Sequence, residues 1–172
     1  MGRMMELGPI NRDAYAAFIL RWFEKGFCRV ERRDLEHVFE IGVDVPYNIQ
    51  RICHILWEKA RGEKEIHLPM IEETPYIIAQ QDAPHFESLW SATSQPQKTL
   101  LVALAGETDP KPFSKAFQLT HGIGPSSSIK ASLDSLTKKG ILYRTKKGAY
   151  RFPDKFMMFW ILALSTDRGK TS

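Results

Sequence analysis

A chain of 172 residues that is 43% hydrophobic and 26% charged has the makeup of an ordinary globular protein, which excludes disordered and low-complexity classes and leaves room for one domain or two small ones. Its net charge of +4 is unevenly spread: residues 111–151 hold nine Lys or Arg against one acid, Asp134, so this stretch carries +8 and the remainder −4. A basic segment on a mildly acidic body is the footprint of a polyanion-binding module.

The elements follow in chain order. Asn11 is a plausible N-cap for a helix over residues 11–25, whose Tyr15, Phe18, Ile19, Trp22 and Phe23 recur at helical spacing and which Gly26 closes. Residues 32–40 predict a second helix with Leu35, Val38 and Phe39 inward and Gly42 after its end. A third runs from Pro46, at a first-turn position where a missing N–H does no harm, to Arg61, with Ile49, Ile52, Cys53, Leu56 and Trp57 on one face. After a polar loop at 62–65, residues 68–82 predict a helix that Pro75 kinks or restarts, and Phe86, Leu89 and Trp90 mark another. The expected first domain, residues 1–92, is therefore a small helical one.

Residues 95–105 predict a helix around Leu100, Leu101 and Leu104, ended by Gly106. A second covers 113–121 and buries Phe113, Ala116 and Phe117; Gly122-Ile123-Gly124 is a tight turn, and Pro125 starts a third that runs to Lys139 with Ile129, Leu133 and Leu136 inward. Gly140 stops it, strands at 141–145 and 149–152 meet through Lys146-Lys147-Gly148, and an apolar helix occupies 156–164. Helix, turn, helix and hairpin in this order make a winged helix. The expected fold class is mainly α: a helical domain followed by a winged helix-turn-helix domain over 93–166, then a disordered tail over 167–172. The helix after the glycine turn is the recognition helix, with Ser127, Lys130, Ala131, Asp134 and Lys138 outward. Ser126 and Ser127 offer hydroxyl and backbone N–H groups to a phosphate. Arg144, Lys146, Lys147 and Arg151 belong to the wing. With no Asn, Gln or Arg on the outer helix face, bidentate base reading is poor and sequence preference weak.

Enzyme chemistry finds no support. The chain contains no G-x-x-x-x-G-K-S/T phosphate loop, and His121-Gly122-Ile123-Gly124 lies between helices rather than after a strand. The five histidines have no metal-ligand spacing, so neither a cofactor nor a metal is expected. Cys28 and Cys53 are expected as reduced core thiols. The longest apolar run, Phe156 to Leu164, has nine residues against the roughly 20 that cross a bilayer, and Met1 to Glu6 lacks the apolar stretch of a signal peptide, so the expected setting is the cytoplasm, with no membrane partner.

Several segments resemble a known family. Asp44-Val45-Pro46-Tyr47-Asn48-Ile49-Gln50-Arg51-Ile52-Cys53-His54-Ile55-Leu56-Trp57 resembles the lid-domain helix of archaeal and bacterial AAA+ ATPases close to the STAND group, and Leu7-Gly8-Pro9-Ile10 the start of their lid. Leu100 to Glu107, Pro112-Phe113-Ser114, Pro125-Ser126-Ser127-Ser128 and Tyr150-Arg151-Phe152-Pro153-Asp154 resemble their C-terminal winged helix. The resemblance implies a lid and winged helix without the nucleotide-binding core. It places Pro46 and Tyr47 where the lid approaches nucleotide, with Asp44 where glycine is usual and Tyr47 where origin-recognition relatives carry a sensing arginine. The expected function is a non-catalytic, ATPase-derived module that contacts double-stranded DNA, or a protein partner such as an ATPase core supplied in trans. Two alternatives stay open: a free-standing transcription regulator that dimerises through Phe156, Phe159 and Trp160, and a protein-docking scaffold that binds no nucleic acid.

Overall fold

The computed structural model describes residues 11–61 and 65–168. The expected lid start at 7–10, loop residues 62–64 and tail residues 169–172 lie outside the described residues. The protein is mainly helical, with one two-stranded antiparallel hairpin among the described residues, and divides into two units, Met1–Ile78 and Ala79–Ser172.

In the first unit, helix α1 (Arg12–Lys25) is capped by Asn11, whose side-chain oxygen accepts the Ala14 N–H at 3.1 Å. Ala16, Ile19 and Phe23 are buried, but Phe18 and Trp22 are 50% and 61% exposed, against the expected inward placing of all five apolar residues. Phe18 lies 100° around the helix from Ile19 and Trp22 100° from Phe23, both outside the arc that is buried. Gly26 caps α1 at φ −83°, and the left-handed residue is Phe27 at φ 58°. Gly26 matters for a different reason: a Cβ there would collide with the Trp57 indole.

Helix α2 (Arg32–Gly42) continues through Gly42, which is buried against Ile49 rather than lying beyond the helix end. The reversal comes at Val43 and Asp44, both at φ 54°. Arg12 holds the Asp44 carboxylate with two hydrogen bonds of 2.7 Å and reaches Glu36 at 3.2 Å. Helix α3 (Pro46–Ala60) then buries Ile49, Ile52, Ile55 and Leu56. Both cysteines are free thiols, Cys28 buried and Cys53 half-buried. Helix α4 (Leu68–Gln81) runs unbroken through Pro75, so no restart follows Thr74; the Thr74 hydroxyl donates to the Met70 carbonyl at 2.8 Å.

The second unit contains α5 (Ala83–Ser91), α6 (Gln95–Gly106), α7 (Lys115–Thr120), α8 (Ser126–Lys138), strands β1 (Tyr143–Arg144) and β2 (Tyr150–Arg151), and α9 (Lys155–Arg168). Helix α6 is its centre, packed on α8 and α9, with Leu100, Leu101 and Leu104 buried. Trp160 of α9 packs against Phe86 and Trp90 of α5, with ring centroids 6.0 and 5.8 Å apart. The division places α5 with the winged helix, upstream of the expected boundary at 93. Phe156 and Trp160 are only 1% and 6% exposed, so two of the three aromatics assigned to a dimer face are instead core. Helix α7 is shorter than expected: Phe117 is buried, while Phe113 and Ala116 are exposed and Pro112 takes the inner position. Residues 167 and 168, assigned to the tail, belong to α9.

Two outcomes follow from these local geometries. Gly140 sits at φ 71°, so Gly140→Ala should lower the stability of the second unit by about 1 kcal/mol in urea unfolding, and Gly140→Asn by less. Burial pushes the Cys53 thiol up to about 12 from an ordinary 9.0, so between those values the folded chain keeps a proton that the unfolded chain loses. The contribution of Cys53 to the stability of the first unit is thus fully present below pH 9 and is lost as pH rises towards 12, and Cys53→Ala should flatten that slope in unfolding titrations.

Candidate nucleic-acid interface

The basic stretch is organised by how α8 begins and ends. Ser114 caps α7, its hydroxyl oxygen accepting the Phe117 N–H at 3.2 Å. The chain turns at Gly122, φ 60°, and the Ile123 N–H donates to the Gln118 carbonyl at 3.0 Å. Pro125 is the N-cap of α8 rather than its first helical residue, and its carbonyl accepts the N–H groups of Ser128 and Ile129. As first-turn groups the N–H of Ser126 and of Ser127 have no carbonyl partner among the described residues, and proline offers no side chain to cap them. Gln118 donates to the Ser126 hydroxyl oxygen at 3.1 Å and so fixes α7 to the start of α8.

The inner face of α8 is Ile129, Leu133 and Leu136, all buried. Ser127, Lys130, Ala131, Asp134 and Lys138 are exposed on the outer side, as their spacing requires. Asp134 stands one turn from both Lys130 and Lys138, which leaves this outer face a charge of only +1. At the far end the N–H groups of Gly140 and Ile141 donate to the Thr137 and Leu136 carbonyls, each at 3.0 Å, a Schellman closure about left-handed Gly140. It carries Ile141 and Leu142 into the core. Lys139 is drawn back to the domain: its ammonium donates to the Ala92 carbonyl at 2.5 Å and to Gln97 Oε1 at 3.3 Å. Gln97 Oε1 also accepts the Ser94 N–H at 3.1 Å.

The hairpin pairs Tyr143 with Arg151 and Arg144 with Tyr150. The Gly148 N–H donates to the Thr145 carbonyl at 2.9 Å, which puts Lys146 and Lys147 at the two central positions of the turn, where side chains project outward. Gly148 takes φ 85°, and the Arg144 guanidinium lies beside it and over the Tyr150 ring at 6.0 Å. Among the described residues no acid lies within ion-pair distance of Arg144, Lys146 or Lys147. Arg151 differs: it is half-buried, donates to its neighbour's carbonyl and approaches Asp109 at 3.7 Å.

The wing and the start of α8 therefore belong to one unit, which contains all the residues expected at the interface, Ser126, Ser127, Lys130, Lys138, Arg144, Lys146, Lys147 and Arg151. Pro46 and Tyr47 open α3 in the first unit, with Tyr47 66% exposed and the Arg51 guanidinium 5.8 Å from its ring centre. Beside them the Asp44 carboxylate is held by Arg12. Sequence reasoning missed two exposed apolar residues on the α7 side, Phe113 at 47% and Leu119 at 79%. Leu119, two positions from buried Phe117 and so on the far side of a one-sided helix, was the available signal.

No group of three or more metal-ligating side chains occurs among the described residues, and no helix of these residues is long and apolar enough to cross a membrane. No curated protein and no solved structure matches the chain. Residues 84–163, from the second position of α5 into α9, match the family model of a probable winged helix domain, which joins α5 to the wing in one domain and indicates no catalytic family.

Proposed function

We propose that the winged helix contacts duplex DNA through its phosphates, with the wing as the principal contact and little dependence on base sequence. The observation that carries this reading is the trio Arg144, Lys146 and Lys147, which projects from the hairpin with no acid in ion-pair range. The start of α8 adds the N–H groups of Ser126 and Ser127, polarised by the helix dipole and suited to a phosphate oxygen. Sequence reading is weak because the outer face of α8 offers Ser127, Lys130, Ala131, Asp134 and Lys138, which include no Asn, Gln or Arg and leave only two lysines able to reach a guanine edge. Arg151, engaged with Asp109, stabilises the base of the wing and adds less to binding. On the family resemblance this is the DNA-contacting end of an ATPase-derived module, and an ATPase core supplied in trans meets the loop at Pro46 and Tyr47 through protein surface.

A second reading, protein docking on the α7 side, draws on Phe113 and Leu119, which leave apolar surface uncovered. Leu119→Glu separates the two: a DNA module keeps its affinity for duplex, whereas a docking face loses its partner.

Fluorescence anisotropy of a labelled random-sequence duplex tests the proposal. With about five phosphates neutralised, affinity should fall a few hundred-fold between roughly 50 and 200 mM salt. The triple change Lys130→Glu, Lys146→Glu and Lys147→Glu should abolish binding at moderate salt and flatten the salt dependence. Lys139→Ala should instead cost about 1 kcal/mol of stability through its lost hydrogen bonds and leave affinity nearly unchanged. Salt-independent binding, or triple-variant affinity equal to the parent's, would contradict the reading.

A further inference from the structure

The wing contains an aromatic side chain that the phosphate contacts leave unused. Tyr143, the first residue of β1, is 45% exposed, although the two residues before it, Ile141 and Leu142, are buried. Both residues of β1 are exposed and both of β2 half-buried, so β1 is the outer strand of the hairpin. Among the described residues the Tyr143 ring meets no aromatic or cationic partner, and its hydroxyl makes no hydrogen bond. Tyr150 differs, because the Arg144 guanidinium already lies over its ring at 6.0 Å.

The antiparallel register sets what surrounds the ring. Successive side chains of a strand alternate between faces, and directly opposed residues share one. Tyr143 therefore shares its face with Arg151, and Arg144 shares the other with Tyr150. The next pair towards the tip on the Tyr143 face is Thr145 and Ala149, joined by the Thr145 N–H donating to the Ala149 carbonyl at 2.8 Å, and both side chains are small. Lys146 and Lys147 follow at the turn. An unpartnered aromatic ring thus borders a shelf of small side chains that ends in two cations. A flat, uncharged group carried on an anionic backbone is complementary to that arrangement, and an unpaired nucleobase is such a group. Every base offers a π-face, so stacking on an exposed ring requires no particular base edge. Bases inside an intact duplex are already stacked on one another and leave Tyr143 unused.

We propose that the wing recognises single-stranded extensions of duplex DNA, with Tyr143 stacking on an unpaired base while Lys146 and Lys147 hold the phosphates alongside. The inference rests on the reading of the wing as a phosphate-contacting surface and adds a substrate preference to it. A duplex that gives way to a single strand binds more tightly than duplex alone. The preference is for unpaired structure and not for base identity, since a ring that stacks on a π-face reads no hydrogen-bonding edge.

Fluorescence anisotropy with the full chain tests the preference on a labelled blunt duplex, the same duplex with a short oligothymidine extension, and that extension with its bases removed as abasic sites. The extended probes carry equal phosphate charge, so the difference between them isolates the bases. The intact extension should bind at least about fivefold tighter than the abasic one. Tyr143→Ala should bring the extended probes to within about twofold of each other, while Tyr143→Phe, which keeps the ring, should retain the preference. Should Tyr143→Ala disorder the wing, the probe comparison on the unsubstituted chain and the Phe variant still decide. Equal affinity for the extended probes, or a preference that survives Tyr143→Ala or is lost in Tyr143→Phe, overturns this proposal and leaves the duplex reading standing. Blunt-duplex binding that is absent even at low salt overturns both.

Discussion

The second unit depends on one constraint: α8 must bury Ile129, Leu133 and Leu136 and then end abruptly at Gly140. Burial of that single stripe fixes the rotation of the helix, and the rotation fixes which residues face water. The Schellman closure then sends the next two residues, Ile141 and Leu142, inward, so the chain leaves the core as a hairpin whose turn residues have only solvent around them. An α8 that ran one turn further would carry Ile141 and Leu142 off the core and leave the wing without a base. The position of Lys146 and Lys147 is thus a consequence of packing more than of any interaction they make themselves.

Charge is distributed on that frame unevenly. Lys139 is spent on the Ala92 carbonyl and Gln97, Arg151 on Asp109, and Asp134 offsets one of the two outward lysines of α8. What remains free is concentrated on the hairpin. A local charge of +8 read from the sequence overstates the recognition helix and understates the wing, because it counts residues without regard to what they already hold.

Much of the winged helix was legible in the sequence, because its signals are local and agree with one another. The period of Ile129, Leu133 and Leu136, glycine at 140 and glycine at 148 each mark a boundary the structure observes within a residue or two. The failures came where tertiary packing chose among equivalent local patterns. Phe18 and Trp22 share the helical spacing of Ile19 and Phe23, and nothing local says which pair is buried. Val43 and Asp44 adopt left-handed backbone in place of Gly42, an inversion that burial of Gly42 against Ile49 forces and that Arg12 accompanies by holding Asp44 from 32 positions away. The apolar run of α9 looked like an interface, yet Phe86 and Trp90 of α5 cover Trp160. The candidate interface was legible as residue types, but the engagement of Lys139 and Arg151 was not, since their partners are remote in sequence or accept through backbone carbonyls.

The central claim, that the wing and the start of α8 form the DNA-contacting surface, is tested most directly by amide chemical-shift mapping on a ¹⁵N-labelled chain titrated with a short duplex. The account predicts that the largest changes cluster at Arg144, Lys146, Lys147 and Gly148 and at Ser126 and Ser127, with Lys139 and Arg151 little moved. Changes centred on Phe113 and Leu119, or spread evenly over lysines of both units, would contradict it.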